Sequence, residues 1–478
     1  MRTRRTYLGL VATGVVGALA GCADGSGDSD DTEAGEDNEE SEPGDDEDTE
    51  PTGGTQRPTE TLSTSTPTGP VTLGTPTQTT NLDADDGDNQ DNFGTAARLD
   101  DTASTALVTA PGDENPNGSE GGSAYVYTHS GGSWSEQAKL SATDGDSDDN
   151  FGTAGALSGD GQRAIVTAGG DEDPNGPGSG SAYVFSRANG SWTQQSKLIA
   201  DDGDADDTFG SAVALDETGT TALIAASNDD DPYGSNSGSV YAFTLTENVW
   251  VQQAKINPTD GDPGDRFGAS VALSDDGTTA LIGAAEDASP GSEGQGSVYV
   301  YQSVSGGWTQ QTKLTGDEGN SEDRFGGAVA IGNSGSTALI GAPGDVDANG
   351  TEAGSMYLFT ATGGTWSQQV KLAADDGDPL DEFGTTVSLT GDGTTALVSA
   401  PGDEDPNGPD AGSAYLFTRS EGTWSQYSKL VADNGDSDDG FGVSATLADG
   451  GAMALIGAPR DEDLHGPTSG SAYVYDLT

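Results

Sequence analysis

The sequence predicts an all-β protein, a seven-bladed β-propeller, from three observations. First, the dipeptide Phe-Gly recurs every 58 residues, at Phe93, Phe151, Phe209, Phe267, Phe325, Phe383 and Phe441. Second, seven such units fill residues 73–478 without a gap. Third, each unit contains four short segments with strand-like apolar patterns, and no segment has a helical period of useful length. A fixed long period filled with short strands is typical of a propeller, in which each repeat forms one blade.

The sixth unit shows the four predicted strands of a blade in order. Residues 383–389 alternate between apolar and small or polar side chains, as a strand does. Residues 395–400 are almost wholly apolar, as expected of a strand covered on both faces. A long loop then leads to a third strand at 413–418, and a Gly turn leads to a fourth at 424–430. We therefore expect four-stranded antiparallel blades.

The end of the chain predicts how the ring closes. The chain stops at Thr478, just after the third strand that follows Phe441, and no Trp-containing fourth strand comes after it. Residues 76–82 lie one repeat before the fourth strand of the first unit, and Gln78 and Leu82 keep its pattern. Proline at the first position of an edge strand is tolerated. We therefore expect this N-terminal segment to supply the outer strand of the last blade.

Charge narrows the classes of partner. The net charge is −64, from 81 Asp and Glu against 17 Lys and Arg. Such a field disfavours nucleic acid and anionic membrane surfaces, which are polyanions. A Lys-poor acidic surface is typical of salt-loving archaea, so halophilic adaptation accounts for most of the charge. All six lysines occupy one position of the repeat: Lys139, Lys197, Lys255, Lys313, Lys371 and Lys429.

The N-terminal segment indicates export. Arg4 and Arg5 precede a short apolar run that ends in Leu-Ala-Gly-Cys at Cys22, the only cysteine, which excludes disulfides within the chain. The twin arginines resemble a Tat signal and the ending resembles a lipobox. Residues 1–21 are then a lipoprotein signal peptide, Cys22 is lipidated, and the protein sits on the extracellular face of the cell membrane. A plain signal peptide with an accidental cysteine is the alternative.

Residues 22–72 have the composition of a tether. The first half is almost entirely Asp, Glu, Gly and Ser, and the second half is rich in Thr and Pro. Neither half has enough apolar residues for a core, so we expect disorder. The domain organisation is thus signal peptide (1–21), lipid-anchored tether (22–72) and propeller (73–478).

The repeat resembles a known family. Its unit reads Lys-Leu, Asp-Gly-Asp, Asp-x-Phe-Gly, Ala-Leu-Ile-Gly-Ala-Pro and Gly-Ser-x-Tyr-x-Phe, and Phe325-Gly326 with Gly341-Ala342-Pro343 shows the namesake pieces together. This pattern looks like the FG-GAP repeat, which builds the seven-bladed propeller of integrin α chains. The resemblance implies an adhesion or recognition platform. The integrin-type calcium loop, however, would lie in the turn between the first two strands, and here residues 274–279 and 390–393 are too short to form it.

Two other loops are acidic in every unit, and antiparallel topology brings them to the same rim. One precedes Phe-Gly and the other follows Gly-Ala-Pro. Alternating oxygens before a Gly turn resemble half of a calcium loop, so Ca²⁺ is a candidate cofactor. The alternatives are Asx-turns, in which these side chains bond to their own backbone, and simple solvation. The candidate metal ligands are Asp171, Asp173, Asn175, Asp202, Asp204, Asp207, Asp345, Asp347, Asn349, Asp376, Asp378, Asp381, Asp403, Asp405 and Asn407.

The sequence has few residues or motifs typical of catalysis, so we expect that the protein is not an enzyme. His129 and His465 are the only histidines, and no serine-nucleophile, zinc or phosphate-loop motif occurs. The carboxylates are repeated, whereas a glycosidase needs one distinctive pair. Asn117, Asn189 and Asn349 begin N-glycosylation sequons.

The sequence therefore favours a lipid-anchored, monomeric surface platform that binds an unknown protein or glycan through its acidic rim, with Ca²⁺ as a candidate. A halophilic envelope protein without a specific ligand is one alternative. An envelope hydrolase is the other.

Overall fold

The computed structural model describes residues 73–478, except 116, 173–174, 289–293, 347–348, 405–406 and 463–465. The predicted signal peptide, the lipidation site Cys22, Arg4, Arg5 and the tether lie outside the described residues, as do Asp173, Asp347, Asp405 and His465. Within the described residues all regular structure is β-strand, and no helix could span a membrane.

Seven four-stranded antiparallel sheets form seven blades, as predicted. The first strand of the chain, β1 (Thr77–Leu82), belongs to the last blade. Blade one contains β2 (Ala97–Leu99), β3 (Thr105–Ala110), β4 (Ser123–Ser130) and β5 (Ser133–Leu140). Blade two contains β6 (Phe151–Leu157), β7 (Arg163–Ala168), β8 (Ser181–Ala188) and β9 (Ser191–Leu198). Blade three contains β10 (Phe209–Leu215), β11 (Thr221–Ala226), β12 (Ser239–Thr246) and β13 (Val249–Ile256).

The remaining blades repeat this order from inner to outer strand. Blade four contains β14 (Phe267–Leu273), β15 (Thr279–Ala284), β16 (Ser297–Val304) and β17 (Gly307–Leu314). Blade five contains β18 (Ala328–Ile331), β19 (Thr337–Ala342), β20 (Ser355–Thr362) and β21 (Thr365–Leu372). Blade six contains β22 (Val387–Leu389), β23 (Thr395–Ala400), β24 (Ser413–Ser420) and β25 (Thr423–Leu430). Blade seven contains β26 (Ser444–Leu447), β27 (Met453–Ala458) and β28 (Ser471–Asp476), with β1 outermost.

The ring closes through β1, which confirms the predicted role of the N-terminal segment. β1 pairs antiparallel with β28, from Thr77 opposite Asp476 to Leu82 opposite Ala472. Gln78 Oε1 accepts the N–H of Asp433 at 2.9 Å, the same bond that Gln252 makes with Asp201 in blade three at 3.1 Å. The inner strands β2, β6, β10, β14, β18, β22 and β26 contact one another in sequence, and β26 contacts β2. They therefore surround one axis.

The core consists of seven clusters, one between each pair of neighbouring blades. The Phe of each Phe-Gly anchors a cluster: the ring of Phe209 lies edge-on to Tyr241 and Phe243, at 5.5 and 6.0 Å between centroids. Such pairs contribute about 1 kcal/mol beyond their buried area. The glycine is needed because the chain turns there. Gly94 has φ +98°, and a Cβ on it would lie 2.6 Å from the carbonyl oxygen of Ser471 in blade seven.

One predicted strand is shorter than expected. The sequence predicts a continuous strand over residues 383–389, but regular pairing in blade six begins only at Val387. Gly384 has φ +100°, which interrupts the extended backbone after Phe383. In blade three the same distortion appears as a register shift between Phe209 and Val213. The other three strands of blade six match the prediction to within two residues at either end.

Candidate functional site

Two acidic loops of each blade meet on one rim, here called the acidic rim. The first acidic loop connects the outer strand of one blade to the inner strand of the next, as residues 199–208 do before blade three. The second acidic loop joins the second and third strands of a blade, as residues 227–238 do in blade three. Successive blades are linked on this rim: Asp206 N donates to Pro177 O, and Phe209 N donates to Ser179 O, both at 2.8 Å.

A lysine holds the two loops of a blade together. In blade three, Lys255 Nζ lies 2.8 Å from Oδ2 of Asp202 in the first loop and 2.8 Å from Oδ2 of Asp229 in the second. The hydroxyl of Tyr241 donates to the same Asp229 oxygen at 2.8 Å, and Lys255 lies over the Tyr241 ring. We call this set the lysine clamp. The same arrangement occurs in blades one, two, four and six, at Lys139 with Asp86 and Asp113, Lys197 with Asp144 and Asp171, Lys313 with Asp260 and Asp287, and Lys429 with Asp376 and Asp403.

The clamp changes the acidity of its members. Burial alone would lower the pKa of Lys255, but its hydrogen bonds to Asp202 and Asp229 outweigh burial and raise that pKa. Burial would raise the pKa of Asp202, yet the bond from Lys255 outweighs this and lowers it. Both pKa shifts favour the charged pair at neutral pH.

Blade seven replaces two members of the clamp together, the lysine and the acidic residue of the first loop. Asn434 stands where the other blades have the acidic residue of the first loop, and Asn81 of β1 stands where they have lysine. The buried Asp461 remains, and Tyr473 donates its hydroxyl to Oδ2 of Asp461. A complete clamp has two carboxylates and one ammonium group. Blade seven has one carboxylate and two amides, which gives the same net charge. The local charge is therefore preserved across the closure of the ring.

A second set of buried aspartates shapes the first acidic loops. Asp207 is 7% exposed, and its Oδ2 accepts the N–H of Asp204 at 2.7 Å, while in blade six Asp381 accepts from Asp378 in the same way. This is an Asx-type bond of a side chain to the backbone of its own loop, one of the predicted alternatives. Burial raises the pKa of Asp207 to about 6, although the bond from Asp204 opposes it.

The predicted metal ligands thus fall into separate groups. Asp171, Asp202, Asp345, Asp376 and Asp403 bind lysine, Asp207 and Asp381 close loop turns, and Asp204 and Asp378 are exposed. Within the described ranges, no three acidic, histidine or cysteine side chains lie close enough together to hold a metal ion. The calcium site remains a prediction, because Asp173, Asp347 and Asp405 fall outside those ranges.

The asparagines of the second loop link neighbouring blades. Asn175 and Asn407 donate their amide N–H to Ala200 O and Ala432 O, at 3.2 and 2.9 Å. The sequon residues Asn117 and Asn349 make the same bond, to Ala142 O and Ala374 O. Asn189, the third sequon residue, lies exposed in the turn between β8 and β9. Of the three, Asn189 is the one placed to accept a glycan without losing a bond between blades.

The opposite rim carries short turns between strands, and several of these turns contain acidic residues. One position in the turn between the first two strands is acidic in four blades, at Asp101, Glu217, Asp275 and Asp449. The other three blades have Gly159, Asn333 and Gly391 at this position. Backbone hydrogen bonds join several neighbouring turns, as where Glu217 N donates to Asp275 O at 3.2 Å. Burial and the neighbouring carboxylates raise the pKa of Asp101 and of Asp275 to about 7. We call these four residues the axial acid ring.

One arginine lies among the inner strands. Arg98 of β2 occupies a position at which the other blades have Ala156, Ala214, Ala272, Ala330, Ser388 and Thr446. Its guanidinium donates to the carbonyl of Ala97 at 2.9 Å, and no carboxylate of the described chain lies within ion-pair distance. Burial lowers its pKa. Sequence reasoning missed both Arg98 and the axial acid ring, although comparing the seven units position by position would have shown them.

Comparison with known families agrees with the geometry of the blades. The sequence model described as the FG-GAP repeat matches seven segments: residues 76–127, 134–185, 192–243, 250–301, 308–359, 366–417 and 424–475. Each match begins in the outer strand of one blade and ends in the third strand of the next. The first match therefore begins in β1 of blade seven, and the last ends in β28, its partner. No curated protein matches the chain.

Proposed function

The chain belongs to the FG-GAP repeat family, and on this premise we propose that it is a binding platform that recognises a cationic partner through its acidic rim. FG-GAP propellers are typically non-catalytic, and the proposed role is recognition rather than catalysis. The partner is a protein or glycan that presents amines, guanidinium groups or bridging divalent cations.

The observation that carries the proposal is the excess of carboxylate on the acidic rim. In blade three the clamp lysine neutralises Asp202, but Asp201, Asp204 and Asp206 of the same loop remain exposed. Equivalent loops occur around the ring at fixed spacing. A dense array of one charge, held on rigid loops, attracts and orients an oppositely charged surface.

We propose further that the propeller is lipid-anchored outside the cell. This part rests on the sequence, on Arg4, Arg5 and the Leu-Ala-Gly-Cys ending at Cys22. A tether of about 50 residues would then present the platform away from the membrane. Mass spectrometry of the N-terminal peptide of the purified protein tests this directly, since a lipid on Cys22 adds a defined mass.

The test of the platform compares matched charge changes on the two rims. One variant carries Asp146→Asn, Asp204→Asn and Asp262→Asn, all exposed in first acidic loops. The control carries Asp160→Asn, Asp276→Asn and Asp392→Asn, exposed in the turns of the opposite rim. Binding to envelope preparations of the producing cells is measured against salt concentration. The first variant should bind at least several-fold more weakly, and the control should bind like the native protein.

Equal binding by all three proteins would instead favour an envelope protein whose acidity serves only hydration. The contribution of calcium is tested separately by calorimetric titration in high KCl. A variant with Asp403→Ala and Asp405→Ala should lose heat of binding if the second acidic loop of blade six holds the ion.

A further inference from the structure

Blade five lacks one half of its lysine clamp. Lys371 Nζ lies 2.8 Å from Oδ2 of Asp345, and Tyr357 donates to the same oxygen at 2.6 Å. Glu318 replaces the aspartate of the first loop, and among the described contacts it forms no ion pair with Lys371. Lys371 is the one clamp lysine in the described chain that pairs with a single carboxylate.

A cavity of about 390 Å³ opens beside Lys371. Glu318 and Asn320 of the first loop, Val346 of the second loop and Ser355 of β20 also line it. Val346 is 49% exposed and stands where blades one, two, six and seven carry glutamate. The substitution removes a negative charge from the wall of the cavity. The volume of the cavity is that of a binding site for a small organic molecule.

Ser355 provides a second polar group without a partner. Its hydroxyl is fully buried and makes no hydrogen bond. In blade seven the equivalent Ser471 donates to the carboxylate of Asp83 at 2.9 Å. Asp83 follows β1, and the residue in that position after β21 is Ala373, which has no polar side chain. Blade five therefore lacks the carboxylate that the complete clamps place against this lysine. Like blades two and four, it also lacks the carboxylate that blade seven places against this serine.

We propose that the cavity of blade five binds a small organic carboxylate, whose carboxyl group takes the place of the missing aspartate on Lys371. The ligand's carboxylate accepts hydrogen bonds from the ammonium of Lys371 and lies against Ser355 in the wall of the cavity. Apolar contact with Val346 holds the remainder of the molecule. The other blades provide the chemical precedent, with lysine–carboxylate distances of 2.8 to 3.1 Å. The inference does not depend on the partner proposed for the acidic rim.

The six lysines allow a direct test on the full chain. Protein labelled with ¹³C at lysine Cε gives six lysine signals by NMR, one from each of blades one to six, assigned by single Lys→Arg variants. Sodium acetate and sodium glucuronate are titrated against sodium chloride at matched ionic strength. The Lys371 signal should shift saturably, with a dissociation constant of about 1 mM for the better ligand. The other five signals should not move, because each of those lysines already pairs with two carboxylates.

Three variants complete the test. Glu318→Asp restores the residue of the complete clamps, so the Lys371 signal should move towards the other five and no longer respond. Val346→Glu, which restores the residue of blade six, should weaken binding at least tenfold. Ser355→Ala should weaken it several-fold, whereas Ser297→Ala in blade four, also unpartnered, should have no effect.

An unmoved Lys371 signal, or an equal shift of all six signals, would overturn the proposal. A response to chloride as large as that to acetate would also overturn it, because the site would then not select carboxylate. A Glu318→Asp variant that binds acetate like the native protein would show that the position of the missing aspartate is not the site.

Discussion

Lys255 reaches Asp229 across the acidic rim, with 2.8 Å between Nζ and Oδ2, and Asp229 is only 3% exposed. A carboxylate this deeply buried depends on its partners, because its hydration has been lost. Tyr241 supplies one hydrogen bond to it and Lys255 supplies the countercharge. The pair therefore stabilises the second acidic loop chiefly by preventing an uncompensated charge.

We expect Lys255→Met to lower the free energy of unfolding by about 3 kcal/mol, because Asp229 is left buried without a countercharge. Denaturant unfolding at pH 7 measures the loss. Asn81→Met, in the same register of blade seven, is the matched control and should cost less than about 1 kcal/mol. Equal losses in the two variants would mean that the ion pair contributes nothing specific.

Two substitutions should rebuild the lysine clamp in blade seven. Asn434→Asp alone adds an unpaired carboxylate beside Asp461 and should destabilise the protein. Adding Asn81→Lys supplies the ammonium and should recover the loss. A double-mutant cycle should give a favourable coupling of at least about 1 kcal/mol. Additive effects would show that the two positions do not form a clamp in this blade.

Mild acidification should stabilise the fold. Burial raises the pKa of Asp91, Asp149, Asp207, Asp265 and Asp323 to about 6 and that of Asp381 to about 7. The folded state then binds more protons than the unfolded state between about pH 7 and pH 4, so stability rises as pH falls through that window.

Below about pH 4 the trend should reverse, because Asp86 and Asp202 have lowered pKa values and lose their lysine pairs on protonation. Melting temperatures from pH 8 to pH 3 at constant salt test both limbs. Asp101→Asn with Asp275→Asn should reduce the rise in melting temperature between pH 8 and pH 4. The reason is that burial and repulsion raise the pKa of both acids to about 7. A melting temperature that falls steadily from pH 8 would contradict the prediction.

Arg98→Ala should raise the melting temperature. Arg98 is half-buried among the inner strands, where its guanidinium has one backbone bond and no carboxylate within ion-pair distance in the described chain. Four other blades already have alanine at this register, so the smaller side chain fits the repeat. We expect a gain of about 1 kcal/mol, measured by thermal unfolding. Ala272→Arg should lower the melting temperature, and an unchanged melt in both variants would show that the arginine carries no cost.

Removal of β1 should open the ring. Deletion of residues 1–84 removes the β1–β28 pairing and the buried Leu82, whose burial alone is worth about 3 kcal/mol. Deletion of residues 1–70 keeps β1 and should leave the melting temperature unchanged. The two truncated chains are compared by calorimetry. If both melt like the full chain, β1 does not close the ring.

Most of the scaffold follows from local pattern. The spacing of Phe-Gly predicts seven blades, and Gln78 with Leu82 predicts β1, because both depend on residues that repeat in register. The interruption after Phe383 was not predicted, since it depends on the positive φ of Gly384 rather than on apolar alternation.

The clamps were harder to predict. Lys255 lies 53 residues from Asp202 in the chain, and only the folded blade brings them together. The sequence shows that the lysine and two aspartates recur at fixed positions of the repeat. It does not show that their side chains are close together in space. The sequence alone therefore predicts that these acids are metal ligands, turn formers or solvated groups. The fourth role, pairing with lysine, appeared only in the structure.

Each FG-GAP match carries the outer strand of one blade together with three strands of the next. A gene with such units can gain or lose a whole copy by unequal crossing-over at any point of the repeat. Whatever the number of copies, the first copy begins with an outer strand that has no blade of its own. The last copy ends with a blade that still needs its outer strand. The two ends of the repeat array thus remain complementary through every duplication, and ring geometry alone limits how many units persist.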